Sequence, residues 1–211
     1  MSQDKTGEDY RPDGDQLQDL VAQTDSGARH PDNRTRYILT GPALLWSLFQ
    51  LWYASPLPFM LNIGIFNSTE ARSIHLAFAL FLAFTAYPAL RSSPRSYVPV
   101  QDWILAGVAA FAAAYLFLFY EALSARPGRP TEYDVVVGVV GIVMLLEATR
   151  RALGPPLMIV ALVFLSYIFL GPYMPDVIAY QGASLDKAMG HQWLATEGVF
   201  GIALGVSTSF V

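Results

Sequence analysis

Gly198-Val-Phe-Gly-Ile-Ala-Leu-Gly-Val-Ser-Thr-Ser-Phe210 carries no charge, and the chain stops one residue later at Val211. A helix rises about 1.5 Å per residue, so this run reaches ~20 Å against a hydrocarbon core ~30 Å thick. A terminal carboxylate at that depth costs at least ~2.5–3.5 kcal/mol. The run is therefore expected to open a crossing that a longer protein completes. Working back from it, five more stretches are apolar enough for a bilayer. The expected fold class is all-α: a polytopic transmembrane helical protein with about five complete spans, an incomplete sixth and a disordered N-terminal tail.

The first span is expected over 37–55, with Trp46, Trp52 and Tyr53 as interfacial anchors, and Pro56 and Pro58 end it. The apolar stretch 59–66 is too short to cross, so it lies in the interface or folds back. The next spans are expected over 74–90 and 103–123. The fourth starts near Tyr133, and its uncharged core is 135–146. The fifth runs from Pro155 to about Leu170.

Charge is sparse and uneven. Charged residues make up 14% of the chain, against ~25% in soluble proteins. Residues 1–36 hold eight of the seventeen Asp and Glu and five of the thirteen Lys and Arg. That segment buries too little apolar area to offset its chain entropy, so an acidic, disordered tail is expected. It has no apolar core of a signal peptide, so the first span must serve as its own insertion signal. A net charge of −4 and the absence of a basic, aromatic-interleaved patch exclude nucleic acid as a partner. With no cysteine there is no disulfide framework and no thiolate metal site.

Positive charge sets the orientation. Arg29, Arg34, Arg36, Arg91, Arg95, Arg150 and Arg151 fall on one side; Arg72, Arg126, Arg129 and Lys187 fall on the other. The amino terminus is therefore expected in the cytoplasm and 172–197 outside. There, Ser184 is placed to cap a short helix whose Leu185, Ala188, Met189 and Trp193 share a face, and this helix is expected along the outer surface.

Glu147 is the acid of greatest chemical interest. Arg150 and Arg151 follow at three and four residues, so one carboxylate can pair with either cation. A span begun at Tyr133 reaches Arg150, which puts these charges at the membrane boundary. An interfacial ion pair that fixes the helix end is expected there rather than a proton relay. Gln50 and His75 read as lone polar groups near the ends of their spans. His191 and Glu197 do not have metal-ligand spacing. Gly198, Gly201 and Gly205 share a face suited to close helix packing, and Ser207, Thr208 and Ser209 follow where hydroxyls must find partners. Asn67-Ser68-Thr69 fits the glycosylation pattern by chance. No nucleophile–base set, paired carboxylates or phosphate loop is visible, so catalysis is not expected.

Four stretches carry a likeness to a known family: Glu70-Ala-Arg-Ser-Ile-His-Leu-Ala-Phe-Ala-Leu-Phe-Leu-Ala-Phe84, Leu146-Glu-Ala-Thr-Arg-Arg151, Gly171-Pro-Tyr-Met-Pro175 and His191-Gln-Trp-Leu-Ala-Thr-Glu-Gly-Val-Phe-Gly-Ile-Ala-Leu-Gly-Val206. They resemble the fused permeases of TRAP transporters, in the branch whose binding proteins are called TAXI. The resemblance implies a small four-helix domain joined to a large domain of about twelve helices. The large domain holds the sodium and substrate sites and moves as an elevator. A separate periplasmic protein captures the substrate, commonly an organic acid such as a dicarboxylate. On this likeness 37–153 matches the small, bracing domain, 154–197 the connecting helix and periplasmic segment, and 198–211 the start of the large domain.

The expected partners are then the lipid bilayer, the large permease domain and the periplasmic binding protein, in a bacterial inner membrane. Sodium is the expected coupling ion of the complete transporter, with no cofactor in this chain. The likeness assigns no substrate residue here, and Glu147, Arg150 and Arg151 keep an architectural role. The alternative is a separately encoded, non-transporting scaffold subunit that pairs with a larger permease.

Overall fold

The computed structural model describes residues 27–29, 33–90 and 92–209, and among these every regular element is a helix. The helices are α1 (Asn33–Ala54), α2 (Leu57–Leu61), α3 (Ser68–Ala86), α4 (Val100–Leu118), α5 (Tyr120–Ser124), α6 (Glu132–Leu153), α7 (Pro155–Leu170), α8 (Leu185–Gln192) and α9 (Ile202–Ser209). A 3-10 turn, Gly171–Tyr173, follows α7. Residues 1–26 and 30–32, which hold most of the expected tail, lie outside the described residues, as do Arg91, Phe210 and Val211.

Caps set where the bundle helices begin. Asn67 Oδ1 accepts the Thr69 and Glu70 backbone N–H groups at 2.9 Å each, and Glu70 reaches back to the Asn67 N–H at 2.9 Å. This capping box starts α3 at Ser68, ahead of the expected 74, and accounts for an Asn two residues before Thr69. Thr131 and Asp134 form the same box at α6. At the other end of α6, Gly154 takes a φ of +89°, and Pro155 and Pro156 open α7 directly.

Helices α3, α4 and α6 form an antiparallel core, with α1 against α3 and α7 against α6. Helix α4 meets its neighbours with Ala106, Ala109, Ala112 and Ala113, all essentially inaccessible. Small side chains at this spacing allow close approach to α3, whose Leu76, Leu80 and Phe84 fill the space. Ser73 ties the two helices: its hydroxyl donates to Ala113 O at 2.7 Å and accepts from Phe117 N at 3.1 Å.

Two helical segments, Val100–Leu118 and Pro155–Tyr173, are long and apolar enough to cross a membrane. The other long helices are of comparable length, at 22, 19 and 22 residues. Their apolarity is lowered by charges at the ends, such as Glu70 and Arg72 in α3 and Glu132, Asp134, Glu147, Arg150 and Arg151 in α6.

Helix α7 matches the expected fifth span residue for residue, and no residue in it is buried. Beyond it the chain folds back. Tyr167 Oη donates to Ile178 O at 2.5 Å, Tyr180 Oη donates to Ile168 O, and Ala183 N donates to Ile168 O at 3.0 Å.

Candidate functional site

Polar side chains gather at both ends of the α3–α4–α6 core. At one end, Asp102 in the first turn of α4 is 1% exposed and bonded to two arginines. Arg151 Nη1 lies 2.9 Å from Asp102 Oδ1, and Arg29 Nη2 pairs with Asp102 Oδ2. Arg29 also donates from Nη1 to Thr85 O at 2.9 Å and from its backbone N–H to Ala86 O at 2.8 Å.

The chain of charges continues along α6. Arg151 Nε donates to Glu147 Oε1 at 2.8 Å, and Arg150 grips both Glu147 oxygens at 2.7 Å. Arg150 then donates to Ala89 O at 2.8 Å, and the Arg151 guanidinium sits 4.7 Å over the Phe84 ring. Arg29, Asp102, Arg151, Glu147 and Arg150 thus alternate in sign and join the segment before α1 to α3, α4 and α6. The Glu147–Arg150 and Glu147–Arg151 pairs fall at the spacing the sequence suggested.

One expectation is corrected here. The tail was expected to be disordered through residue 36, yet Arg29 is buried and Asn33 already opens α1. Asp102 accounts for this: Arg151 takes one oxygen of its buried carboxylate, and Arg29 supplies the donor to the other. Asp102 itself was missed. Its partners are 49 and 73 residues away, so local spacing gives no sign of them. The available signal was an isolated acid on the edge of the apolar 103–123 run.

At the opposite end, Asp134 is fully buried. Tyr115 Oη donates to its Oδ1 at 2.6 Å, the Thr131 N–H donates to Oδ2 at 2.7 Å, and Arg126 Nη2 lies 3.0 Å from Oδ2. Asp102 and Tyr115 are thirteen residues apart on α4, so the two polar layers are about 20 Å apart along that helix.

Between them, His75 on α3 gathers groups from α1 and α9. Gln50 Nε2 is 2.8 Å from its Nδ1, Trp46 Nε1 donates to the same nitrogen at 3.3 Å, and Ser207 Oγ is 3.0 Å from Nε2. The Trp46 indole can only donate, so Nδ1 acts as the acceptor and Nε2 faces Ser207. Gln50 and His75, read singly in the sequence, are partners of each other. Trp46, half-buried, is turned to the imidazole, with ring centroids 5.0 Å apart.

The 185–209 segment differs most from expectation. Ala188, Met189 and Trp193 do share the buried face of α8, while Leu185 is 46% exposed and Ser184 makes no side-chain cap bond. The helix lies on the outside of the bundle against α6, with Asp186, Lys187 and His191 exposed, and is anchored at its end. Trp193 is fully buried, donates from Nε1 to Ala112 O at 3.0 Å, and meets Phe200 edge-on at 5.3 Å. Its ring occupies a notch at Gly141, where an added Cβ would sit 2.1 Å from Trp193 Cε2.

Of the three glycines expected to pack a helix, Gly205 is buried on α9 where it meets α3, while Gly198 and Gly201 serve another end. At Gly198 an added Cβ would collide with the Gln192 backbone at 2.4 Å, and at Gly201 with Gly198 O at 2.7 Å, so both permit a tight reversal. The helix consequently starts at Ile202 rather than Gly198. Gly205 receives the Arg72 guanidinium, which donates to Phe200 O at 2.8 Å. Of the three terminal hydroxyls, Ser207 finds His75 and Thr208 donates to Leu204 O at 2.7 Å. His191 Nδ1 lies 3.0 Å from Glu197 Oε2, both exposed.

No protein-family model matches this chain, and neither a curated protein nor a solved structure does. The arrangement is one of tethers. Buried ion pairs lock the core at both ends, while Arg72, His75 and Trp193 pin the 185–209 segment onto it.

Proposed function

We propose that this chain is the bracing portion of a sodium-coupled, TRAP-type permease for organic acids such as dicarboxylates. It spans a bacterial inner membrane five times, with the amino terminus in the cytoplasm, and supports a large transport domain that begins near residue 198. A periplasmic binding protein delivers substrate to that domain, which also carries the sodium sites.

The observation that carries this reading is the setting of α7. Leu157, Ile159, Val160, Val163 and Phe164 are each at least half exposed on a helix without a single charge. Apolar surface on that scale needs lipid or another apolar partner. The layering of the core agrees. Ion pairs sit about 20 Å apart along α4 with alanine, leucine and phenylalanine between, as suits a slab with wet faces and an oily centre. The end holding Arg29, Arg150 and Arg151 is the one that positive charge assigns to the cytoplasm. Bracing follows from stiffness, since a support for a moving body needs helices that cannot slide. Helix α4 is tied to α6 and the tail through Asp102 and to α3 through Ser73.

Reporter fusions test the topology. Those after Arg95 and Arg151 read cytoplasmic and one at Ser184 reads periplasmic; the reverse pattern overturns the five-span arrangement. Reconstituted by itself, the chain gives no sodium-dependent uptake of a dicarboxylate such as succinate. Uptake by this chain alone would overturn the bracing role.

A further inference from the structure

A cavity of about 260 Å³ opens where α4 ends, between the loop that precedes α6 and the turn that follows α8. We infer that it is a binding site for a small amphiphilic anion, a carboxylate or phosphate head on a short apolar body.

The lining divides in two. Leu116, Leu123 and Leu194 give an apolar floor, and Arg126 and Arg129 are the only ionisable side chains on its walls apart from the Tyr120 phenol. No acid lines it. The Arg126 charge is matched by Asp134 at 3.0 Å. Arg129 has no carboxylate within ion-pair distance among the described residues. Of the acids on neighbouring segments, Glu70 is engaged in the α3 cap at 2.9 Å and Glu197 with His191 at 3.0 Å, while Glu121 and Glu132 neither line the cavity nor pair with Arg129. The hydroxyls of Thr69, Tyr120 and Thr196 lie on the wall without an intramolecular hydrogen bond among the described residues. The site therefore offers one uncompensated guanidinium, several free hydroxyl donors and an apolar floor. Guanidinium with hydroxyl donors suits a planar carboxylate or a phosphate, and the leucines suit what is attached to it.

Such a head group has two sources, a water-borne organic carboxylate or a phospholipid of the adjoining leaflet, and the experiment separates them. The full 211-residue chain is purified into phosphatidylcholine nanodiscs. Hexanoate is titrated by calorimetry with hexanol as the uncharged control, and retention of phosphatidylglycerol against phosphatidylcholine is followed by native mass spectrometry.

Two variants leave the Asp134 network intact. Arg129→Gln removes the free charge. Gly190→Leu fills the cavity without changing charge, since a Cβ there meets only Pro130 at 3.9 Å. The expected result is saturable binding of hexanoate, or selective retention of phosphatidylglycerol, weakened about tenfold or more by each variant. Hexanoate alone assigns the water-borne source, and phosphatidylglycerol alone assigns the lipid. Binding of neither above its control overturns the site, and so does binding that both variants leave unchanged. The outcome is independent of the transport reading, because no uptake is measured.

Discussion

Arg151 reaches Asp102 across the α6–α4 interface at 2.9 Å, with the two side chains 2% and 1% exposed. Asp102 holds Arg29 with its other oxygen, so one carboxylate bridges two buried guanidiniums, of which Arg151 also has Glu147 at 2.8 Å. Removing a single partner of a buried pair is costly because it strands the opposite charge. Asp102→Asn strands Arg29, while Arg151 keeps Glu147 at 2.8 Å, and the expected loss is about 3–5 kcal/mol of stability. Thermal unfolding in detergent reads it out. Glu147→Gln should cost distinctly less, because Glu147 is 27% exposed and water can replace it. Equal losses for the two would remove Asp102 from the centre of the network.

Trp193 and Gly141 make a sterically exacting contact. Gly141→Ala would place a methyl 2.1 Å from the indole, which must then leave its notch and its bond to Ala112 O. Overpacking of this kind costs about 1–3 kcal/mol. The expected readout is a red shift of tryptophan emission together with lower thermal stability. Gly138→Ala is the milder comparison, because its methyl would lie 3.2 Å from Met189 Cβ, only a few tenths of an ångström inside ordinary contact. An unshifted spectrum in Gly141→Ala would mean that the indole is not seated there.

What the sequence disclosed followed the reach of its signals. Apolar length found α7 to the residue, because Gly154 and the two prolines mark its start without ambiguity. Spacing of three and four residues found the Glu147 pairs, because both partners share one helix. Asp134, Asp102 and His75 were invisible as sites, since their partners come from other elements and a single sequence has no term for that. Trp193 was placed on the correct face of its helix, but what that face packs against was not legible. Its burial depends on Gly138 and Gly141, whose meaning appears only once α8 lies against α6. The five-span reading counted charges at helix ends as boundary groups; by length and apolarity, two segments meet the requirement for crossing.

His75 and Ser207 couple α9 to α3 at 3.0 Å. A double-mutant cycle of His75→Ala and Ser207→Ala is expected to show an interaction of about 0.6 kcal/mol, the usual scale for interhelical hydrogen bonds in membranes. Gln50 behaves differently. Its Oε1 is buried without a partner among the described residues, and an unsatisfied acceptor costs ~1–3 kcal/mol. Gln50→Met keeps the shape and removes that atom, together with the Nε2 contact to His75 Nδ1 at 2.8 Å, a nitrogen that Trp46 still serves. The lost bond and the removed unsatisfied acceptor offset each other, so a change within ~1 kcal/mol is expected in thermal unfolding, and a loss above ~2 kcal/mol would mean that the bond to His75 outweighs the unsatisfied oxygen.

Arg72 and Gly205 hold the last helix in place by a different route. The guanidinium lies where a Cβ at position 205 would come within 2.6 Å of Nη2, and it donates to Phe200 O at 2.8 Å. Gly205→Ala displaces the end of a flexible side chain, so the bundle stays folded while the seat of α9 is lost. Limited proteolysis distinguishes this from general unfolding. The variant is expected to be cleaved several times faster within 194–201 at an unchanged melting temperature, and Arg72→Met should give the same pattern. Cleavage spread evenly along the chain would mean that Arg72 supports the bundle as a whole. Protection equal to the parent protein would mean that Trp193 and His75 hold the segment without it.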